Sequence, residues 1–329
     1  MKYWRTFSQK IRQVSPGPLI IISLILLVVI GLLSLLFGAA TLSFEDIWGL
    51  HDIVKYIRIP RMLAAIFAGM GLAGAGVILQ TLLANPLAGP NIIGVNSGAG
   101  FFAILCCLLF PLTPALQPVA AFVGSLMAVL LIYTLARKTG ASKVAILLAG
   151  VILNSLFNAA TEGLYTFFPA ILYNLADFRT GGLSSIQTSV LYPAILLILV
   201  TCLLVWVKAD TLELLSLGDE VAHSLGLPVK KSRFLFLLCA ACMAGAAVSF
   251  AGLIGFLGLI VPHAIRAIVG SETRYLFPLS ILWGGIFMVV CDTFARCAFA
   301  PFELSVGIVL AIIGAPIFIW ILLSKKKMV

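Results

Sequence analysis

Few side chains in this chain could carry chemistry, and their spacing narrows the choice. Glu162, Asp292 and Arg296 are the ionisable residues nearest to long apolar runs. An acid in such surroundings is a candidate for function by default. Asp292 and Arg296 stand one helical turn apart, the spacing of an ion pair, whereas Glu162 has no basic partner nearby in sequence. A proton-coupled carrier would call for more acids than these. The histidines at 51, 223 and 263 and the cysteines at 106, 107, 202, 239, 242, 291 and 297 share no metal-ligand spacing. The cysteines read as small buried hydrophobes, and no metal site is expected. No Gly-x-x-x-x-Gly-Lys-Ser/Thr phosphate loop occurs, so the chain has no route to ATP hydrolysis of that kind.

Polar residues cluster elsewhere, in residues 208–233, between two long apolar segments. Leu212 and Leu215 share a face of one short helix, and Val221, Ala222 and Leu225 share a face of another. Ser216 or Gly218 can start the second helix, whose positive end suits Asp219 and Glu220. Gly226 can end it in a left-handed cap, and Pro228 blocks its continuation. Two kinked amphipathic helices at a membrane surface suggest a docking element; the alternative is a solvated loop.

The elements around this stretch are set by composition. Of 329 residues 62% are hydrophobic and 10% charged, against about 25% charged in soluble domains. The chain reads as an all-α polytopic membrane protein forming one transmembrane domain over residues 1–329. Its net charge of +9 lies in short tracts between spans and is no nucleic-acid signal. The first apolar run, 18–38, reads as a retained helix rather than a cleaved leader. The uncharged run 62–110 has 49 residues; as one helix it would be about 73 Å long against a hydrocarbon core near 30 Å. It must therefore be two spans, broken at Asn85-Pro86-Leu87-Ala88-Gly89-Pro90-Asn91. The run 234–270 is likewise too long and is split near Gly252 and Gly255. Expected spans are 18–38, 62–83, 92–110, 117–135, 144–168, 190–207, two within 234–270, 276–298 and 304–323, ten in all. With both tails inside, 16 of the 21 basic residues fall on the cytoplasmic side, the bias that membrane topology favours. That topology puts 208–233 in the cytoplasm and Arg58, Arg61 and Arg296 outside.

Residues 72–77 resemble 243–248, and 149–153 resemble 306–310. Two five-span halves must face opposite ways, the inverted-repeat arrangement of many transporters. Small residues at 69, 71, 73–76, 94, 98 and 100 suit close helix packing. Gln80, Asn85, Asn91 and Asn96 either satisfy a broken backbone or line a polar path.

Several ordered motifs resemble the FecCD-type permeases, the membrane subunits of ABC importers for iron-siderophores, haem and cobalamin. They are Arg58-Ile59-Pro60-Arg61, Leu82-Leu83-Ala84-Asn85-Pro86-Leu87-Ala88 with Ile93-Gly94-Val95-Asn96-Ser97-Gly98-Ala99, and Leu148-Ala149-Gly150-Val151. Further along come Leu217-Gly218-Asp219-Glu220-Val221-Ala222 with Ser224-Leu225-Gly226, Gly255-Phe256-Leu257-Gly258-Leu259-Ile260-Val261-Pro262-His263, Asp292-Thr293-Phe294-Ala295-Arg296, and Glu303-Leu304-Ser305-Val306-Gly307 with Gly314-Ala315-Pro316. The resemblance covers roughly residues 40–325 and implies a type II ABC importer permease in a bacterial cytoplasmic membrane. Implied partners are a second permease copy or paralogue, two cytoplasmic ATPase subunits that hold ATP and Mg, and an extracytoplasmic binding protein; the chain itself binds no cofactor. By the same resemblance Leu217, Gly218, Asp219, Glu220, Ala222, Leu225 and Gly226 couple to the ATPases. Arg58, Arg61 and Arg296 meet carboxylates of the binding protein, to which their planar forks are suited. Gly150, Asn154, Asn158, Gly307 and Gly314 lie along the translocation path. The loop 139–143, where the family places its inner gate, departs from the family pattern. The expected cargo is an iron chelate, with cobalamin as the alternative and an ion-coupled secondary transporter as the rival class.

Overall fold

The computed structural model of the protein describes residues 16–38, 49, 52–138, 142–184, 186–300 and 302–325. The basic N-terminal tail, Glu45, Asp46, His51, the loop residues 139–141 and the lysines at 326 and 327 lie outside that set, so the sidedness argument resting on the tails stays with the sequence. Every regular element among the described residues is helical: α1 (Pro16–Ser34), a π-helical turn (Val54–Arg58) running into α2 (Ile59–Leu82), α3 (Val95–Leu109), a 3-10 turn (Pro114–Leu116) leading into α4 (Gln117–Lys138), α5 (Lys143–Phe167), α6 (Ala170–Asn174), α7 (Ala176–Thr180), α8 (Thr188–Val207), α9 (Ala209–Ser216), α10 (Asp219–Ser224), α11 (Val229–Ala251), α12 (Leu257–Val269), α13 (Thr273–Cys297) and α14 (Val306–Lys325).

Each expected span falls on one of these helices. Seven are long and apolar enough to cross a membrane: α1, the helix through α2, α4, α5, α8, α11 and α13. Three are apolar but shorter, namely α3, α12 and the Val306–Ile319 part of α14. At 13 residues, α12 extends only about 20 Å. Irregular backbone at such depth needs partners within the protein, and side chains supply several of them at the two breaks. Asn96 Nδ2 donates to Ile254 O at 3.0 Å, Gln80 Nε2 to Gly258 O at 3.2 Å, and Asn85 Oδ1 accepts from Leu87 N at 2.9 Å. Three of the four polar residues near the first break therefore satisfy backbone through their side chains; Asn91 contributes its carbonyl, described below. The second break turns at Gly252 with φ +74° and Phe256 with φ +62°, the latter a left-handed residue that is not glycine.

Two helix starts differ from the expected spans. The second span begins at Val54, where a π-helical turn runs into α2, and Pro60 is accommodated in the first turn of α2, where it needs no hydrogen-bond donor. Arg58 and Arg61 thus belong to a helix and not to the loop before it. The seventh span begins at Val229, so Lys230, Lys231 and Arg233 form its first turns rather than a loop.

Packing explains the glycines. A Cβ on Gly69 would lie 2.1 Å from Gly284 O, and one on Gly76 would lie 1.9 Å from Gly258 O. A Cβ on Gly71 would lie 2.8 Å from Met243 O, and one on Gly74 would lie 2.3 Å from Met243 Cε. The two similar stretches, 72–77 and 243–248, therefore cross where α2 meets α11. Helix pairing also recurs between the halves: α2 packs on α13 as α11 packs on α4, matching the inverted-repeat fold. Gly76→Val should abolish a folded, monodisperse permease in detergent. The added Cβ, whose position the backbone fixes, meets the backbone of Gly258, so rotamer changes cannot relieve the clash and the cost exceeds the about 1–3 kcal/mol usual for overpacking. Gly17→Val, with nothing within 4 Å, serves as the control; a normal elution profile for Gly76→Val would refute this packing.

Candidate functional site

Two sites stand at opposite ends of the helical bundle. The first is the element formed by α9 and α10. Helix α9 buries Ala209, Leu212 and Leu215 and packs on α2, α11 and α13. Its Glu213 Oε2 accepts from Thr273 N, the first residue of α13, at 3.1 Å. After α9 the chain turns at Gly218, whose φ of +111° favours glycine. Gly218 rather than Ser216 precedes α10; Ser216 Oγ donates to Glu213 O at 2.7 Å instead. Asp219 and Glu220 occupy the first turn of α10, and Gly226 closes it at φ +83°, with Gly226 N on His223 O and Leu227 N on Ala222 O.

Only Ala222 of the expected α10 face is buried. Val221 is 46% exposed and Leu225 60%, together with Leu217 at 58%. The six residues of α10 give one inward position, which Ala222 takes, and the larger side chains are left outside. Asp219 pairs with Arg233 at the start of α11, fixing the knob from its other side. The result is a rigidly held polar turn that presents three leucine or valine side chains.

The second site gathers Arg58, Arg61, Asp292, Arg296 and Glu303. Arg61 engages Asp292 with two of its nitrogens, Nε at 3.1 Å and Nη2 at 3.0 Å from Oδ1, and turns Nη1 to Glu303 Oε2 at 2.6 Å. Asp292 Oδ2 lies 3.1 Å from Arg296 Nε, the pairing expected from their spacing. Arg58 donates to Leu35 O at 2.5 Å, and Arg296 to Phe37 O at 3.2 Å and Ser34 O at 3.4 Å. These arginines thereby satisfy carbonyls at the negative end of α1. Among the described residues the cluster sets three guanidiniums beside two carboxylates, of which Glu303 is the more exposed. All three arginines are buried, so they are not free projections. Local spacing cannot reveal the Arg61–Asp292 and Arg61–Glu303 pairs, which join residues 231 and 242 positions apart.

The five residues assigned to a path are placed differently from one another. Asn154 Nδ2 donates to Asn91 O at 2.8 Å and Ile92 O at 3.0 Å, and its Oδ1 accepts from Ser97 Oγ. Gly150 packs on Ile92 O, Gly307 on Thr180 O, and Gly314 on Phe256 and Ile260. These four sit in seams between elements, and Asn158 alone lies on the open face of α5. On that face Glu162 also has a partner, Arg179 Nη2 at 3.6 Å, which sequence spacing could not reveal. Ser142, from the departing loop, is the N-cap of α5, accepting from Ala145 N at 3.1 Å. Among the described residues no group of three or more His, Cys, Asp or Glu side chains could hold a metal ion.

A bundle of apolar helices with two internal breaks, an apolar knob at one end and an arginine–carboxylate cluster at the other fits a membrane transport permease. Its residues 26–324 match the FecCD transport family, and the chain belongs to that family. It is 38% identical over 328 residues to the hemin transport system permease protein HmuU of Yersinia pestis, covering 96% of this chain and 98% of that one. It is 34% identical over 329 residues to the Fe(3+)-citrate import system permease protein YfmE of Bacillus subtilis, covering 96% and 98%. It is 35% identical over 332 residues to the vitamin B12 import system permease protein BtuC of Vibrio cholerae, covering 99% of each. Among solved structures it matches an inward-facing ABC transporter described as metal-chelate type, with a TM-score of 0.85 and 28% identity over 94% of this chain and 100% of that chain.

Proposed function

We propose that this chain is the membrane-spanning subunit of a type II ABC importer that carries an iron chelate, a ferric siderophore or haem, across a bacterial cytoplasmic membrane. Two partner ATPases drive it, holding the ATP and Mg, and a second permease subunit completes the path. The observation that carries this reading is the knob at 217–225. A solute carrier driven by its own ion gradient has no need of three large apolar side chains on a rigid polar mount, whereas a groove in a motor subunit would bury them. Relatives named for hemin, Fe(3+)-citrate and vitamin B12 transport support the importer class.

The cluster of Arg58, Arg61 and Arg296 is the docking point for the binding protein. Its buried geometry sets how docking works: a partner carboxylate reaches Arg61 Nη1 by displacing Glu303, while Asp292 keeps the fork aligned. The exposed face of α5, with Asn158, lines the path against the second subunit. Alternating access then needs no chemistry from this chain. Uptake of labelled ferric siderophore, haem and cobalamin, compared in cells with and without this permease and its partners, tests the cargo. The expected result is permease-dependent uptake of an iron chelate, and uptake of cobalamin alone would overturn that assignment.

A further inference from the structure

Helix α13 touches both sites. Its first residue, Thr273, is bound by Glu213 of α9, and Asp292 near its other end is held between Arg61 and Arg296. Asp292 stands nineteen positions after Thr273, about 29 Å along the helix, close to the thickness of a hydrocarbon core.

The bond at the start of α13 is unusual in kind. A helix N-terminus leaves N–H groups without intrahelical acceptors, and a local cap residue normally supplies one. Glu272 occupies the cap position here and makes no side-chain cap bond. Thr273 is fully buried, and its Oγ1 has no partner among the described residues. The acceptor instead comes from another helix, through the carboxylate of Glu213, which also suits the positive end of α13. Leu212 and Leu215 pack beside it with no exposure. Along its length α13 is pressed against α2 at Gly284 and Gly69, with no room for a side chain between them. Pro278 removes one ladder bond near the Glu213 end without ending the helix. Helix α2 in turn carries Arg61 to Asp292.

We infer that Glu213 is a positioning residue that joins the knob to α13, and that α13 carries displacement between the knob and the arginine cluster. Moving α9 pulls on the start of α13, and the far end of the same rod shifts Asp292 relative to Arg61 and Arg296. The arginine cluster thereby reads the state of the opposite face. This inference rests on the proposed docking roles of the two sites.

The test uses the complete importer, with permease, ATPases and binding protein. In Glu213→Ala, basal ATP hydrolysis and binding-protein affinity should stay within twofold of wild type. Stimulation of hydrolysis by loaded binding protein should fall tenfold or more. Glu213→Gln, whose amide oxygen still accepts from Thr273 N, should keep most of the stimulation. Asp210→Ala, on the exposed side of α9, should keep all of it. Stimulation within twofold of wild type in Glu213→Ala, or an equal loss in Asp210→Ala, overturns the inference. A measurement on wild type alone guards against a variant that fails to fold. Nucleotide binding should change amide hydrogen exchange at both 273–277 and 290–297; a change confined to the first segment overturns the inference. Absence of any stimulation in wild type would instead refute the docking assignment.

Discussion

Replacing Leu217 and Leu225 together by aspartate should abolish uptake by the assembled importer while leaving the permease folded. Both side chains project from the knob, and neither supports the core. In a motor's groove each leucine would contribute about 1.5–3 kcal/mol through burial. The two carboxylates would lose that contribution and add an unpaired charge to an apolar contact. A combined loss of about 4 kcal/mol corresponds to a roughly thousandfold weaker association. Affinity of the ATPase subunits for the detergent-solubilised permease reads this directly, and gel filtration of the permease alone shows that folding is intact. Unchanged affinity with undiminished uptake would remove the knob from the mechanism. Ala222→Asp, by contrast, should damage the fold itself, because Ala222 is the one fully buried residue of α10.

Arg61→Ala should be the most damaging single charge change. It leaves Asp292 with one partner, and Glu303 without its ion pair. Removing one member of a buried pair typically costs about 3–5 kcal/mol, because the remaining charge is stranded. At about 2–4 °C per kcal/mol for a chain of this size, the thermal midpoint should fall by about 10 °C. Adding Glu303→Gln should restore part of that loss by neutralising one stranded acid, and Asp292→Asn in the wild-type background should also lower the midpoint. Glu303→Gln alone should be the mildest change, since Glu303 is only partly buried. A midpoint for Arg61→Ala within a degree of wild type would mean that the cluster carries no structural load.

Much of the architecture is legible in the sequence because a bilayer fixes lengths. Runs too long for one crossing had to be broken, and the breaks fall at the prolines and glycines of 85–91 and at Gly252. The knob is legible because its turns are written locally in Gly218, Gly226 and Pro228. What depends on tertiary contact is not legible. Spacing pairs Asp292 with Arg296, but nothing in it brings Arg61 to the same carboxylate or Arg179 to Glu162. Periodicity groups Val221 and Leu225 with Ala222 on one face, but it does not say which of them the fold buries, and only Ala222 is buried. Asn154 has the polarity of a path residue, and only the fold shows that its amide is committed to Asn91 and Ile92. The glycines gave a packing signal without a partner; Gly76 meets Gly258 because the two halves cross, which no local pattern states.

The central claim is that this permease is driven by partner ATPases and not by an ion gradient. Its most direct test is chelate accumulation in sealed vesicles holding the purified permease, with ATPases and binding protein added in turn. Accumulation should require all components and ATP, and it should persist when ionophores collapse proton and sodium gradients. Accumulation by the permease alone, driven by either gradient without ATP, would contradict the account.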